Sequence, residues 1–197
     1  ELDNQVRDHR LRIHFPLPTP AEGSGAECAF GTVERGLTAE GGPNEFGLPT
    51  FSSRRFVSAG GLLAVHDGLP EYEVVDDELA ITLFRSVGVI SQGPMRMRAL
   101  PAGPSTPTPE AQMIGPFRAD IVLHTGGRDP YAVADEAFTP LLVSRMPSAE
   151  FGDPDSSGRR LAVTGAEMSA LTRRADGRLE LRVFNPSDEP TELTVEG

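Results

Sequence analysis

At 197 residues, 38% of them apolar, the chain fits one large β domain or two small ones and is long enough to bury a substantial core. A net charge of −11 argues against nucleic acid and against anionic membrane surfaces, whose phosphates would repel it, and solubility is the plain reading of that charge. Aromatic content is only 6%, with no Trp and Tyr at positions 72 and 131 alone, so an aromatic platform for stacking sugar faces is not expected.

Cys28 is the single cysteine, which permits no internal disulfide and gives no sign of an oxidising compartment. Every fully cationic side chain is Arg, a feature best explained by coding bias. No signal peptide and no apolar run long enough for a bilayer is present, so a cytoplasmic location is expected. The first residue is Glu1 rather than Met, and an excised piece of a larger protein is expected.

The first strict alternation is Arg10-Leu-Arg-Ile-His-Phe15. It places Leu11, Ile13 and Phe15 on one strand face and Arg10, Arg12 and His14 on the other. Prolines at 16, 18 and 20 end it, and Glu27 to Val33 reads as a second strand. The Gly- and Pro-rich stretch from Glu34 to Ser53 is too long for a plain connection and suggests a functional or interface loop. Short strands follow at Arg55 to Ala59, Leu62 to His66 and Glu71 to Val75, separated by Gly60-Gly61 and Asp67-Gly-Leu-Pro70 turns. Leu79 to Phe84 is the most apolar run and reads as a central strand.

The tract from Pro101 to Pro109 lacks backbone donors at each proline and cannot lie inside a sheet. Phe117 to His124 resumes the strand pattern, and Tyr131 to Phe138 suggests a turn or two of helix. Strands are expected at Leu141 to Arg145, Arg160 to Thr164, Glu167 to Thr172, Leu179 to Phe184 and Glu192 to Val195. The last three resemble a meander with turns at Asp176-Gly177 and Asn185 to Asp188. So little helix cannot supply the crossovers of a parallel sheet, and the expected fold is all-β, a large antiparallel sandwich.

No catalytic set stands out. Asp8-His9 pairs a carboxylate with an imidazole, yet neighbours on a strand point to opposite faces, and a structural ion pair is the simpler reading. Glu34-Arg35 and Arg54-Arg55 bracket the long loop and suit a charged rim or ordinary surface pairs. Asp76-Asp77-Glu78 and Asp153-Pro-Asp155 lack the alternating oxygens and sharp Gly turn of a calcium loop. His14, His66 and His124 fall in separate strands without zinc-type spacing. No catalytic residue and no metal ligand is assigned.

Several runs taken in order resemble the C-terminal β region of bacterial glycoside hydrolase family 38, the α-mannosidases, including the branch acting on mannosylglycerate-type substrates. They are Asp8-His-Arg-Leu-Arg12, Gly31-Thr-Val-Glu-Arg35, Gly68-Leu-Pro-Glu-Tyr-Glu73, Leu79-Ala-Ile-Thr-Leu-Phe-Arg-Ser86, Thr108-Pro-Glu-Ala-Gln-Met-Ile-Gly115 and Leu179-Glu-Leu-Arg-Val-Phe-Asn-Pro186. The resemblance implies a supersandwich shared with galactose-mutarotase-like domains, occupying residues 1–197 as a single C-terminal domain. It implies that the zinc, the nucleophile and the acid/base residue lie in a catalytic barrel absent from this chain. The parent would be a zinc-dependent α-mannosidase that retains anomeric configuration.

The chain itself would carry no cofactor and would be inactive. Its partner would be the catalytic domain of the same polypeptide, and it would touch an α-mannoside at most indirectly. Asp8, His9, Arg10, Glu34, Arg35, Arg54 and Arg55 are the expected interdomain contacts, at the edge formed by Asp8 to Arg10 and the long loop. The alternative is a free-standing sugar- or protein-binding module; a mutarotase-like enzyme would need a convergent His and Glu pair, for which spacing gives no support.

Overall fold

The computed structural model describes residues 1–143, 158 and 161–197. They form two compact units, Glu1–Ala29 with Val33–Ala137, and Phe30–Thr32 with Phe138–Gly197.

The first unit runs β1 (Leu2–Asn4), β2 (Arg10–Pro16), β3 (Gly23–Cys28), β4 (Gly31–Gly36), β5 (Phe51–Ser52), β6 (Phe56–Ala59), β7 (Leu62–His66), β8 (Glu71–Val75) and β9 (Glu78–Arg85). A 3-10 turn (Pro109–Gln112), β10 (Gly115–Phe117), β11 (Ile121–Thr125) and helix α1 (Pro130–Phe138) complete it. A five-stranded sheet in the order β11-β7-β6-β3-β4 and a four-stranded sheet in the order β2-β9-β8-β5 hold most of these strands. The fold is all-β and antiparallel in its registered pairings, as the alternation requires.

The core lies between these two sheets. Ala26, Val57, Leu62 and Ala64 of the larger sheet meet Tyr72, Leu79 and Ile81 of the smaller, with Leu69 from the intervening turn. Ile13 and Phe15 of β2 sit opposite Ile81 and Leu79 and pack on this cluster, the face their alternation predicts. β9 is an interior strand, as its apolar run suggests. β7 is buried at all five positions, and Phe56 of the neighbouring β6 is buried beside it. There the Tyr131 ring meets Phe56 edge-on with centroids 5.0 Å apart.

The second unit contains β12 (Ala162–Thr164), β13 (Glu167–Arg173), β14 (Leu179–Phe184) and β15 (Thr194–Glu196). β13 and β14 form the expected hairpin, with Gly177 at a φ of 86° in the turn. The meander stops there, because β15 pairs with β12 rather than with β14. Residues 141–143 are not strand. Arg145, Arg160 and the Asp153-Pro-Asp155 motif lie outside the described residues.

Two strand boundaries differ from the sequence reading. Glu27 to Val33 is not one strand but the β3–β4 hairpin, turning at Ala29-Phe30 with Phe30 at a φ of 62°. Gly23-Ser-Gly25 belongs to β3, where the backbone passes close to β4. A Cβ on Gly25 would lie 2.4 Å from the Glu34 carboxylate, and one on Gly23 would lie 2.8 Å from the Arg35 carbonyl. Phe117 to His124 divides into β10, which pairs with β1, and β11, which pairs with β7.

Candidate functional site

Asp8 and His9 do not make an acid–base pair. At a φ of 54°, Asp8 turns its backbone so that its amide donates to Gln112 Oε1 (2.9 Å), while Gln112 Nε2 donates to Asp8 Oδ1 (2.8 Å). The His9 ring instead meets Phe84 edge-on at 5.5 Å. Behind this clamp Asn4 is buried and donates from Nδ2 to Ser86 Oγ and to the Gln112 and Met113 carbonyls (3.2, 3.2 and 2.8 Å). Two runs far apart in sequence, one around Asp8 and one around Gln112, are therefore one polar junction.

Arg10 belongs to a charged lattice on the outer face of the four-stranded sheet. It lies 3.6 Å from Glu71 and 3.8 Å from Glu73. Arg12 donates to Glu73 at 2.7 Å and Arg85 to Glu71 at 2.9 Å. Ala80 and Thr82 are buried beneath these long side chains, whose stems cover apolar surface while their heads pair with one another.

Glu34 is exposed and reaches across Gly25. Arg35 turns inward: it donates to Cys28 Sγ (3.2 Å) and the Ser52 carbonyl (3.2 Å), and stacks 5.3 Å from the Phe51 ring centroid. Burial opposes its charge, but hydrogen bonds to Cys28 and Tyr72 outweigh that and raise the guanidinium pKa.

Arg54 and Arg55 divide sharply. The Arg54 side chain is exposed and has no ion-pair partner among the described residues. Arg55 grips Glu27, 1% exposed, donating from Nε to both carboxylate oxygens (3.0 and 2.8 Å) and from Nη2 to Oε1 (2.7 Å). Its Nη1 reaches Asp135 on α1 at 2.7 Å, and its plane lies over Tyr131. These bonds, Glu27 foremost, raise the Arg55 pKa. Nearby, buried His66 accepts or donates through Nε2 to Ser53 Oγ at 3.0 Å. Burial pushes its pKa down to about 4, against the opposing pull of Asp67 and Glu27. Its Nδ1 has no partner among the described residues, so nothing orients the ring as a general base for Ser53.

Two of the concavities among the described residues adjoin these side chains or the long loop. One of about 350 Å3 crosses the outer face of the five-stranded sheet beside the start of α1, floored by Gly25, Ser58 and Leu63 and bounded by Glu34, His124 and Arg128. The other, about 500 Å3, is formed by Phe46, Leu48, Arg96 and Met97, where the long loop meets a second loop from the stretch after β9. Phe46 donates its amide to the Met97 carbonyl at 2.9 Å, and Glu45 pairs with Arg98. Of the loop's four large apolar side chains, Phe51 packs on the core while Leu37, Phe46 and Leu48 stay exposed. The sequence flagged that loop by its length; its companion, residues 93–101, carried no signal beyond Gly and Pro.

No three His, Cys, Asp or Glu side chains converge among the described residues, so the donor set here does not fit zinc. No described helix is long and apolar enough to cross a membrane.

The described residues build an all-β fold of antiparallel sheets. Comparison with known proteins places it in a family context. No family profile matches the chain. A protein of Halalkalibacterium halodurans named as a mannosylglycerate hydrolase is 30% identical over 99% of the chain, which covers 22% of that relative. Two Enterococcus faecalis structures, one described as a family 38 glycosyl hydrolase and one as an α-mannosidase, each match 98% of the chain at 25% identity and a TM-score of 0.66. The chain covers 23% and 22% of them. The resemblance to glycoside hydrolase family 38 is thus borne out along the chain, which corresponds to a region about a fifth as long as these relatives.

Proposed function

We propose that the chain is the non-catalytic C-terminal β-sandwich of a family 38 α-mannosidase. It packs on a catalytic barrel carried by the same polypeptide and helps to form one wall of that barrel's active site. The observation that carries this reading is the coverage: nearly the whole chain aligns with only 22% of a relative named as a mannosylglycerate hydrolase. Zinc, the nucleophile and the acid/base carboxyl are assigned to the remaining four fifths, where a glycosyl-enzyme intermediate would form and be hydrolysed with retention. Substrates of the whole protein would be α-mannosides, mannosylglycerate among them, and its location cytoplasmic. This chain would supply shape and support, with Asp8 to Arg10, Glu34-Arg35 and Arg54-Arg55 on or behind the docking edge.

A free-standing sugar-binding module is the second reading. It is disfavoured because Tyr72 and Tyr131 are both buried and give no stacking platform.

The test is a paired assay. The full-length polypeptide is expected to release mannose from α-mannosides, including mannosylglycerate, while the purified 197-residue chain with added zinc gives only the uncatalysed rate. Turnover by the short chain, or none by the full-length protein on any α-mannoside, would overturn the proposal.

A further inference from the structure

Two loops of the first unit build an apolar prong. In the first, Gly42 and Glu45 pair across Pro43-Asn44, and the chain folds back so tightly that a Cβ on Gly47 would lie 2.2 Å from the Glu40 carbonyl. In the second, Met95 and Arg98 pair across Arg96-Met97. The Phe46–Met97 backbone bond and the Glu45–Arg98 ion pair lock the two loops together. On this braced frame Phe46 is 74% exposed, with Leu48, Met95 and Leu100 also exposed. Backbone already held by cross-loop bonds has less conformational freedom to lose when the prong is bound.

Two other faces of the unit offer less. Arg10, Arg12 and Arg85 are neutralised by Glu71 and Glu73, so covering that lattice would strip water from charges that gain no new partner, and the Arg10 end of the docking edge proposed above lies behind the contact rather than in it. The outer face of the five-stranded sheet is already covered in part by α1.

We infer that the Phe46 prong is the anchor by which this domain docks on the rest of its own polypeptide. The inference rests on the packing proposed above and names its surface. The occupant follows from length: four fifths of the relatives' chain lies outside the matched region, and domains of one chain commonly bury several hundred square ångströms against each other. Its complementary surface is an apolar pocket for Phe46 with a carboxylate for Arg96, whose side chain has no ion-pair partner among the described residues. A buried aromatic beside an Arg is the usual composition of an interface centre.

Thiol labelling of Phe46→Cys, read by mass spectrometry of the peptide containing position 46, tests the contact directly. Alkylation is expected to be at least about 10-fold slower in the full-length polypeptide than in the 197-residue chain. Equal rates, or protection that depends on protein concentration and so marks a second copy, would overturn the inference. In the full-length protein, Phe46→Asp is expected to split one cooperative unfolding transition into two, whereas Leu179→Asp, at an exposed position of β14, leaves it single. If the unaltered full-length protein already unfolds in two independent steps, the packing proposal itself fails. If Phe46→Asp leaves a single transition untouched, only the prong is wrong.

Discussion

Arg55 holds Glu27 by three hydrogen bonds at 2.7–3.0 Å at a position where the carboxylate has lost nearly all contact with water. The same guanidinium bonds Asp135 and lies over Tyr131, so one side chain joins β3, the start of β6 and α1. Its neighbour Arg54 shares none of this.

Arg55→Ala should therefore destabilise the chain by about 3–5 kcal/mol, because it strands a buried charge. Arg54→Ala should shift stability by no more than about 0.5 kcal/mol. Urea unfolding of the two variants reads the difference directly. Replacing both partners, Glu27→Leu with Arg55→Met, should recover much of the loss, since no unpaired carboxylate remains. Equal effects of Arg54→Ala and Arg55→Ala would show that the pair does not hold α1 to the sheet.

His66 gives the fold a pH dependence with a defined sign. Its folded pKa, about 4, lies below the ordinary value of 6.5, so between those values the unfolded chain binds the extra proton. Stability is complete above pH 6.5 and falls as the pH drops toward 4, by roughly 3 kcal/mol over the whole window at 1.36 kcal/mol per pKa unit. His66→Gln keeps an amide within reach of Ser53 and removes the titration. Its thermal midpoint should fall less than that of the parent chain between pH 6.5 and 5. Parallel curves would exclude His66 as the source.

Much of the fold was legible because its strands alternate against one shared core. Leu11-x-Ile13-x-Phe15 and the apolar run of β9 identify their own buried faces, and the 3-10 turn and α1 fall near Pro and Ala signals. What stayed hidden was set by residues distant in sequence. The second strand reads from Glu27, whereas β3 begins at Gly23, where a Cβ would lie 2.8 Å from the Arg35 carbonyl of β4. Arg54 and Arg55 read as a matched pair because the buried carboxylate that separates them comes from residue 27. The described residues group into two compact units.

Gly60 tests the turn between β6 and β7. Its φ is 50°, and a Cβ there would lie 2.2 Å from the Thr19 carbonyl, a backbone atom that cannot swing aside. The Thr19 amide also donates to the Gly60 carbonyl at 3.0 Å. Gly60→Ala should cost more than about 1 kcal/mol, whereas Gly68→Ala, with a φ of 73° but open space around it, should cost less. Comparing their melting temperatures separates backbone strain, which both share, from the clash, which only Gly60 has.

Asn4 offers the sharpest test of the polar junction. Its Nδ2 is surrounded by acceptors, the Ser86 hydroxyl and the Gln112 and Met113 carbonyls, while its Oδ1 accepts the Val6 amide at 3.0 Å. Under the proposed reading, β1 is the element nearest in sequence to the preceding catalytic portion, and Asn4 fastens it to the end of β9 and to the 3-10 turn. Asn4→Ala removes the donor and leaves buried carbonyls with fewer partners, at a cost of about 1–3 kcal/mol. Asn4→Asp places a carboxylate against two carbonyl oxygens and should be worse at pH 7. Because that environment disfavours the charged form, the introduced carboxyl should have a raised pKa in the folded state. Protonation then restores a donor, so its deficit relative to Asn4→Ala should shrink as the pH falls from 7 toward 4. An Asp variant as stable as Ala at pH 7, with no such narrowing, would mean that Asn4 does not donate into this junction.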